Sequence, residues 1–140
     1  LTFQTGTTAG TLTFTLNFAD GTQYTKSVDI TPSPVQITSS SGIRQSPYLV
    51  IDLTGYDNTY SAGTLAFNFY DTNGKLLTPG GVSADAASAF HQYFFTGNKA
   101  GGTFVLEAKF PVTGDVSGIG SADVTVTNSS GTSSKVQLHF

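Results

Sequence analysis

Cysteine, methionine and tryptophan are missing from this sequence altogether, and charged residues make up only 11 % of it. Without cysteine there is no disulfide staple, no thiol nucleophile and no cysteine-ligated zinc. The six basic residues, Lys26, Arg44, Lys75, Lys99, Lys109 and Lys135, stand singly, which leaves out the clustered positive charge that nucleic-acid binding requires. No apolar run approaches the roughly 20 residues of a membrane-spanning helix. Strong helix formers are scarce, whereas Thr, Val, Ile, Phe and Tyr abound, a balance that favours pleated, half-buried strands. At 140 residues the chain has room for one main core plus a fragment of a neighbour.

The apolar residues recur with a period of two. Leu12, Phe14, Leu16 and Phe18 alternate with Thr11, Thr13, Thr15 and Asn17, the pattern of a strand with one buried face. Asp20-Gly21 follows, and Tyr24, Val28 and Ile30 mark a returning strand, so 11–30 reads as a hairpin. Thr31-Pro32-Ser33-Pro34 then reads as a linker, because each proline removes a backbone donor and favours extended chain. Further strands are expected at 35–38, around Leu49, Ile51 and Leu53, and around Leu65, Phe67 and Phe69. Others are expected over 75–78, around Phe104 to Phe110, around Val124 and Val126, and over Val136, Leu138 and Phe140. Residues 39–42 read as a Ser/Gly loop, while Asn73-Gly74 and 128–131 read as tight turns. Alanines with Phe90 and Phe94 four apart predict one short connecting helix over about 84–95, capped by Ser83 or Asp85 and ended by Gly97. About eight or nine strands with turn chemistry between them specify an all-β, immunoglobulin-like Greek-key sandwich over 35–140, preceded by the 1–33 hairpin segment.

Two strands with one apolar face are marginal alone in water. The face of the hairpin formed by Leu12, Phe14, Leu16, Phe18, Val28 and Ile30 therefore needs a cover. Three are open: the rest of this chain, a preceding domain, or another copy donating or receiving strands.

The segment Phe3 to Phe14, the proline-bearing junction through Val35 and Ile37, and the closing run Ser121 to Thr132 together resemble tandem immunoglobulin-like repeats of large bacterial secreted and cell-surface proteins. The resemblance implies that 1–33 is the tail of one repeat, or a strand-donating arm, and 35–140 a whole one. It also implies an extracellular or cell-surface stalk, adhesion module or filament part whose partners are copies of itself or adjacent repeats. It transfers no catalytic residue and no cofactor.

The residues themselves point the same way. Catalysis needs tuned groups converging in one pocket, and His91 and His139 are the only histidines. His139 alternates with Leu138 and Phe140 and should face outward; His91 lies among helix aromatics. No serine stands in a Gly-x-Ser-x-Gly elbow. Asp71-Thr72-Asn73-Gly74 imitates the start of a calcium loop but lacks the remaining acidic ligands, and a hairpin turn uses all four residues; no metal is assigned. Asp52 with Asp57, and Asp115 with Glu107, are pairs that a loop end could bring together. Tyr56 and Tyr60 share one polar loop and are the candidates for stacking on a glycan, the alternative function. Asn128-Ser129-Ser130 fits both a glycosylation sequon and a turn. Thr11, Thr13, Thr15, Thr125 and Thr127 read as neutral ladders on poorly guarded edges, suited to association.

Overall fold

The computed structural model describes residues 4–96 and 100–140. Ten strands and one α-helix follow in the order β1 (Gly10–Asn17), β2 (Gln23–Ile30), β3 (Gln36–Gln45), β4 (Tyr48–Tyr56), β5 (Thr64–Asp71), β6 (Leu76–Asp85), α1 (Ala87–Thr96), β7 (Thr103–Pro111), β8 (Ile119–Asn128), β9 (Gly131–Thr132) and β10 (Val136–His139). The fold is all-β, with every strand pair antiparallel. One sheet has the order β3-β4-β7; the other has the order β10-β8-β5-β6, with β9 also on β8.

The two sheets face each other across one core. β4 supplies Leu49, Ile51 and Leu53, and β5 supplies Leu65, Phe67 and Phe69; β8 adds Ala122, Val124 and Val126, and β10 adds Leu138. All are buried, as the alternation in the sequence requires. Phe110 of β7 crosses the gap, its ring edge-on to Phe67 at 4.7 Å and to Phe69 at 5.1 Å. Each large apolar side chain removed from water in this way contributes about 1.5–3 kcal/mol before ordering costs.

The helix is shorter than the sequence suggests, because β6 continues through Asp85 before α1 begins at Ala87. Asp85 Oδ1 accepts the Ala87 amide at 3.0 Å, as a capping carboxylate should. Phe90 and Phe94 are buried against Phe104, with centroids at 5.0 and 6.4 Å. Gly97, the expected helix end, Lys99 and Phe3 lie outside the described residues.

Residues 39–42 are not a loop but the middle of β3. Gly42 is there for packing: a Cβ at this position would stand 2.5 Å from Leu138 Cδ1 and 2.8 Å from the Phe140 ring. The missing side chain lets β3 and β10 lie against each other and close one side of the sandwich. Likewise Thr125 and Thr127 form no free edge: β5 pairs with both, β9 pairs with Thr127 on the other side, Ser133 bonds the Val126 backbone between them, and both threonines are half-buried.

Val35 enters at one end of the sandwich, the proximal end, beside loop 57–62 and the Ser129-Ser130 turn. Phe140 leaves at the opposite, distal end, its amide bonded to the Gly120 carbonyl at 3.0 Å. The β1–β2 hairpin stands apart as a two-stranded ribbon. Its polar face is laddered: Thr11 donates to Asp29 at 2.6 Å, Thr13 meets Ser27 at 3.0 Å, and Gln23 donates to Asn17 at 2.7 Å. Its turn is tied by Asp20, whose Oδ1 accepts the Thr22 amide and hydroxyl at 2.9 and 2.7 Å. These bonds from Thr22 hold the Asp20 carboxyl below the usual carboxylate range. On the other face Leu12, Leu16, Phe18, Tyr24 and Val28 remain exposed, from 37 % for Leu16 and Val28 to 56 % for Tyr24, while Phe14 and Ile30 are half-buried. Among the described residues these five exposed side chains are left without a full cover.

Candidate functional site

The densest polar arrangement in the described residues lies where the hairpin meets the proximal end. Its centre is Asp57, which is fully buried. Oδ1 accepts the Thr59 amide at 2.9 Å, the Thr59 hydroxyl at 2.6 Å and Asn128 Nδ2 at 2.8 Å. Oδ2 accepts the amides of Ser61 at 2.8 Å and Ala62 at 2.7 Å. The sequence Asp-Asn-Thr forms this loop because a carboxylate can bind the amide two residues on and so replace a strand ladder that has ended. Burial pushes the Asp57 carboxyl up, but the hydrogen bonds from Thr59, Asn128 and the loop amides outweigh it and hold the pKa below the ordinary value.

Asn58, also buried, turns the other way and grips both stems of the hairpin. Its side-chain oxygen accepts the Ser33 amide at 3.0 Å and hydroxyl at 3.2 Å, and its Nδ2 donates to the Thr31 carbonyl at 2.9 Å. Its backbone carbonyl accepts the Ala9 amide at 2.7 Å. Asn128 Nδ2 adds a bond to the Ser33 carbonyl at 2.8 Å. Tyr56 donates to the Thr7 carbonyl at 3.1 Å, and the Tyr60 hydroxyl pairs with the Thr8 hydroxyl at 2.9 Å. Both strands of the hairpin are thus tied at their base to the loop and the turn of the sandwich. Gly102 makes room beneath, at φ 73°, where any Cβ would collide with the Asp57 carbonyl.

Tyr56 and Tyr60, singled out as glycan contacts, are half-buried here with their hydroxyls engaged by the hairpin stem. Asn128 is buried and its amide occupied, which suits a turn rather than a glycan acceptor. The proposed carboxylate pairs do not form one site. Asp52 stands opposite Glu107 in the β4–β7 ladder, and Asp57 lies at the proximal end. Glu107 pairs with Lys109 at 3.1 Å, while Asp115 caps a short distal turn by accepting the Ser117 amide at 2.8 Å.

Two other places are chemically distinct. On the outer face of β8, Asp123 is buried and its Oδ2 accepts the Tyr70 hydroxyl and Lys135 Nζ, each at 2.8 Å. Burial raises its carboxyl, yet the bonds from Lys135 and Tyr70 bring it below the usual range, and Lys135 is raised in return. At the distal end Ser121 and His139 are cross-strand neighbours in a depression that Asp71 also lines. The set resembles a hydrolytic triad only in composition: Asp71 Oδ1 is committed to the amides of Asn73 and Lys75 at 2.8 and 2.9 Å, the turn chemistry expected of 71–74. His91 is exposed and lies against Phe95 at 4.6 Å. Among the described residues no group of three or more His, Asp or Glu side chains is placed to hold a metal.

Asp57, Asn58 and Asn128 carry the joint, and sequence reasoning passed over Asn58 entirely. The available signal was an Asp-Asn-Thr turn two strands, β3 and β4, after the Pro32/Pro34 linker. Comparison with protein-family models, with curated proteins and with solved structures finds no match to the chain.

Proposed function

We propose that this chain is a non-enzymatic structural or adhesive module of a bacterial extracellular surface protein or filament. Its partners are neighbouring modules, either further repeats of the same polypeptide or copies of itself, met through strands and apolar faces. The observation that carries this reading is the joint: among the described residues the most elaborate polar network ties the hairpin stems to the end of the sandwich. An immunoglobulin-like Greek-key topology is part of the proposal. It is supported by the strand orders, in which β3, β4 and β7 take the places of strands A, B and E, and β5, β8 and β10 those of C, F and G, with β6 beside C.

The test is to label intact and lysed source cells with an antibody to the purified chain, and to image the parent polypeptide by negative stain. Surface labelling with thin end-to-end rods is expected. Labelling that appears only after lysis, or a compact particle, overturns the proposal.

A further inference from the structure

The hairpin repeats the last hairpin of the sandwich at an offset of 110 positions. Leu12 pairs with Val28 as Ala122 pairs with Leu138; Thr11 pairs with Asp29 as Ser121 pairs with His139; Phe14 pairs with Lys26 as Val124 pairs with Val136. Any two hairpins can be slid into a common register, so the content lies in the residues. At this one offset Gly10 meets Gly120, Thr15 meets Thr125, and the turn residues Gly21-Thr22 meet Gly131-Thr132. Leu12, Leu16 and Val28 fall on Ala122, Val126 and Leu138. The exposures are opposite. Leu12, Leu16 and Val28 are 38, 37 and 37 % exposed, against 0, 0 and 4 % for their counterparts. One edge differs as well: β8 pairs with β5 on its far side, whereas β1 pairs only with β2.

Resting on the modular reading above, we infer that 10–30 is the closing hairpin of a preceding sandwich of the same kind. The cover of its apolar face is the stretch of about 75 residues encoded ahead of Leu1, one immunoglobulin-sized repeat less the hairpin and linker. That stretch supplies a strand in the place of β5 along the free edge of β1, and a facing sheet over Leu12, Leu16 and Val28. The joint at Asn58 is then the contact between consecutive repeats: the distal end of one rests on the proximal end of the next.

A second copy is the poorer occupant. Two eight-residue ribbons face to face fall well short of the roughly 1,200–2,000 Å² that a stable interface buries. Two-fold pairing would also bring Lys26, which stands in the apolar row opposite Phe14, onto the apolar face of its mate. In a sandwich Lys26 takes the place of half-buried Val136 on an edge strand, where a lysine stem can lie on the core while its charge reaches water.

The test compares the chain with the native polypeptide extended through the residues encoded ahead of Leu1, by amide hydrogen exchange, with Leu12→Asp made in both. Extension is expected to slow exchange across 10–17 and 23–30 by at least about 100-fold while 36–139 is unchanged. Leu12→Asp is expected to abolish that protection and to leave the unfolding midpoint of the 35–140 sandwich unmoved in both. Two outcomes overturn the inference: hairpin amides that stay fast in the extended polypeptide, or protection in the short chain that rises with concentration together with a doubled mass by light scattering. An intracellular location would sink the surface reading but leave this exchange result standing, so the two fail separately.

Discussion

Replacing Asp57 isolates the contribution of one buried carboxylate to the joint. In Asp57→Ala the amides of Thr59, Ser61 and Ala62 lose the fully buried carboxylate that accepts them, while Asn128 keeps its bond to the Ser33 carbonyl. Each unsatisfied buried donor costs about 1–3 kcal/mol; part is recovered by water entering the space, so the loss is expected at about 3–5 kcal/mol. A domain of this size holds about 5–15 kcal/mol in all, and the melting temperature should fall by about 10–20 °C. Asp57→Asn keeps the shape and one acceptor but turns an NH2 group toward donors, so it should fall between wild type and alanine. The sign with pH follows from the direction of the shift. A carboxylate held below its ordinary 3.8 stabilises the fold fully above that value and loses its effect as pH falls through the lower folded pKa. The gap between wild type and Asp57→Asn should therefore be constant at neutral pH and narrow below about pH 3.8. Urea unfolding at a series of pH values reads both. An alanine variant within about 1 kcal/mol of wild type, or a gap that does not change down to pH 2, would refute the reasoning.

Asn58→Ala should leave the sandwich transition nearly unmoved while the stems come loose, seen as faster proteolysis at 31–34; equal cleavage rates would show that the stems are held by other contacts. Gly102→Ala introduces a Cβ at positive φ against the Asp57 carbonyl and should cost at least about 2 kcal/mol by thermal unfolding; a neutral result would mean that the loop shifts freely. Phe67→Ala, at a side chain 1 % exposed and in contact with Phe69 and Phe110, should cost about 3–5 kcal/mol in urea, and a loss under about 1 kcal/mol would contradict the packing described.

Most of the sheet structure was legible because burial on one face imposes a period of two, and Leu65, Phe67 and Phe69 or Val124 and Val126 display it without ambiguity. Where a residue's conformation depends on a distant neighbour, local pattern misled. Ser39 to Gly42 has loop composition, yet it runs as an edge strand because Leu138 and Phe140 need the room that Gly42 leaves. Thr125 and Thr127 look like an exposed ladder, but β5 pairs with both and β9 pairs with Thr127 on the other side. The joint was hidden for a related reason: an Asp or Asn in a turn reads alike whether its side chain meets water or the stem of a hairpin 25 residues away in sequence. The alternation of Leu12, Phe14 and Leu16 was enough to read one apolar face on the β1–β2 hairpin, and Leu12 and Leu16 are exposed there.

The closed side formed around Gly42 also sets how the molecule answers to tension. β3 leaves the proximal end and β10 arrives at the distal end, so these two strands, one in each sheet, run in the same direction side by side. A pull between residue 35 and residue 140 draws β3 along β4 and β10 along β8, parallel to the ladders rather than across them. Every rung then shares the load at once, and the sandwich yields by sliding whole strands instead of peeling one bond at a time.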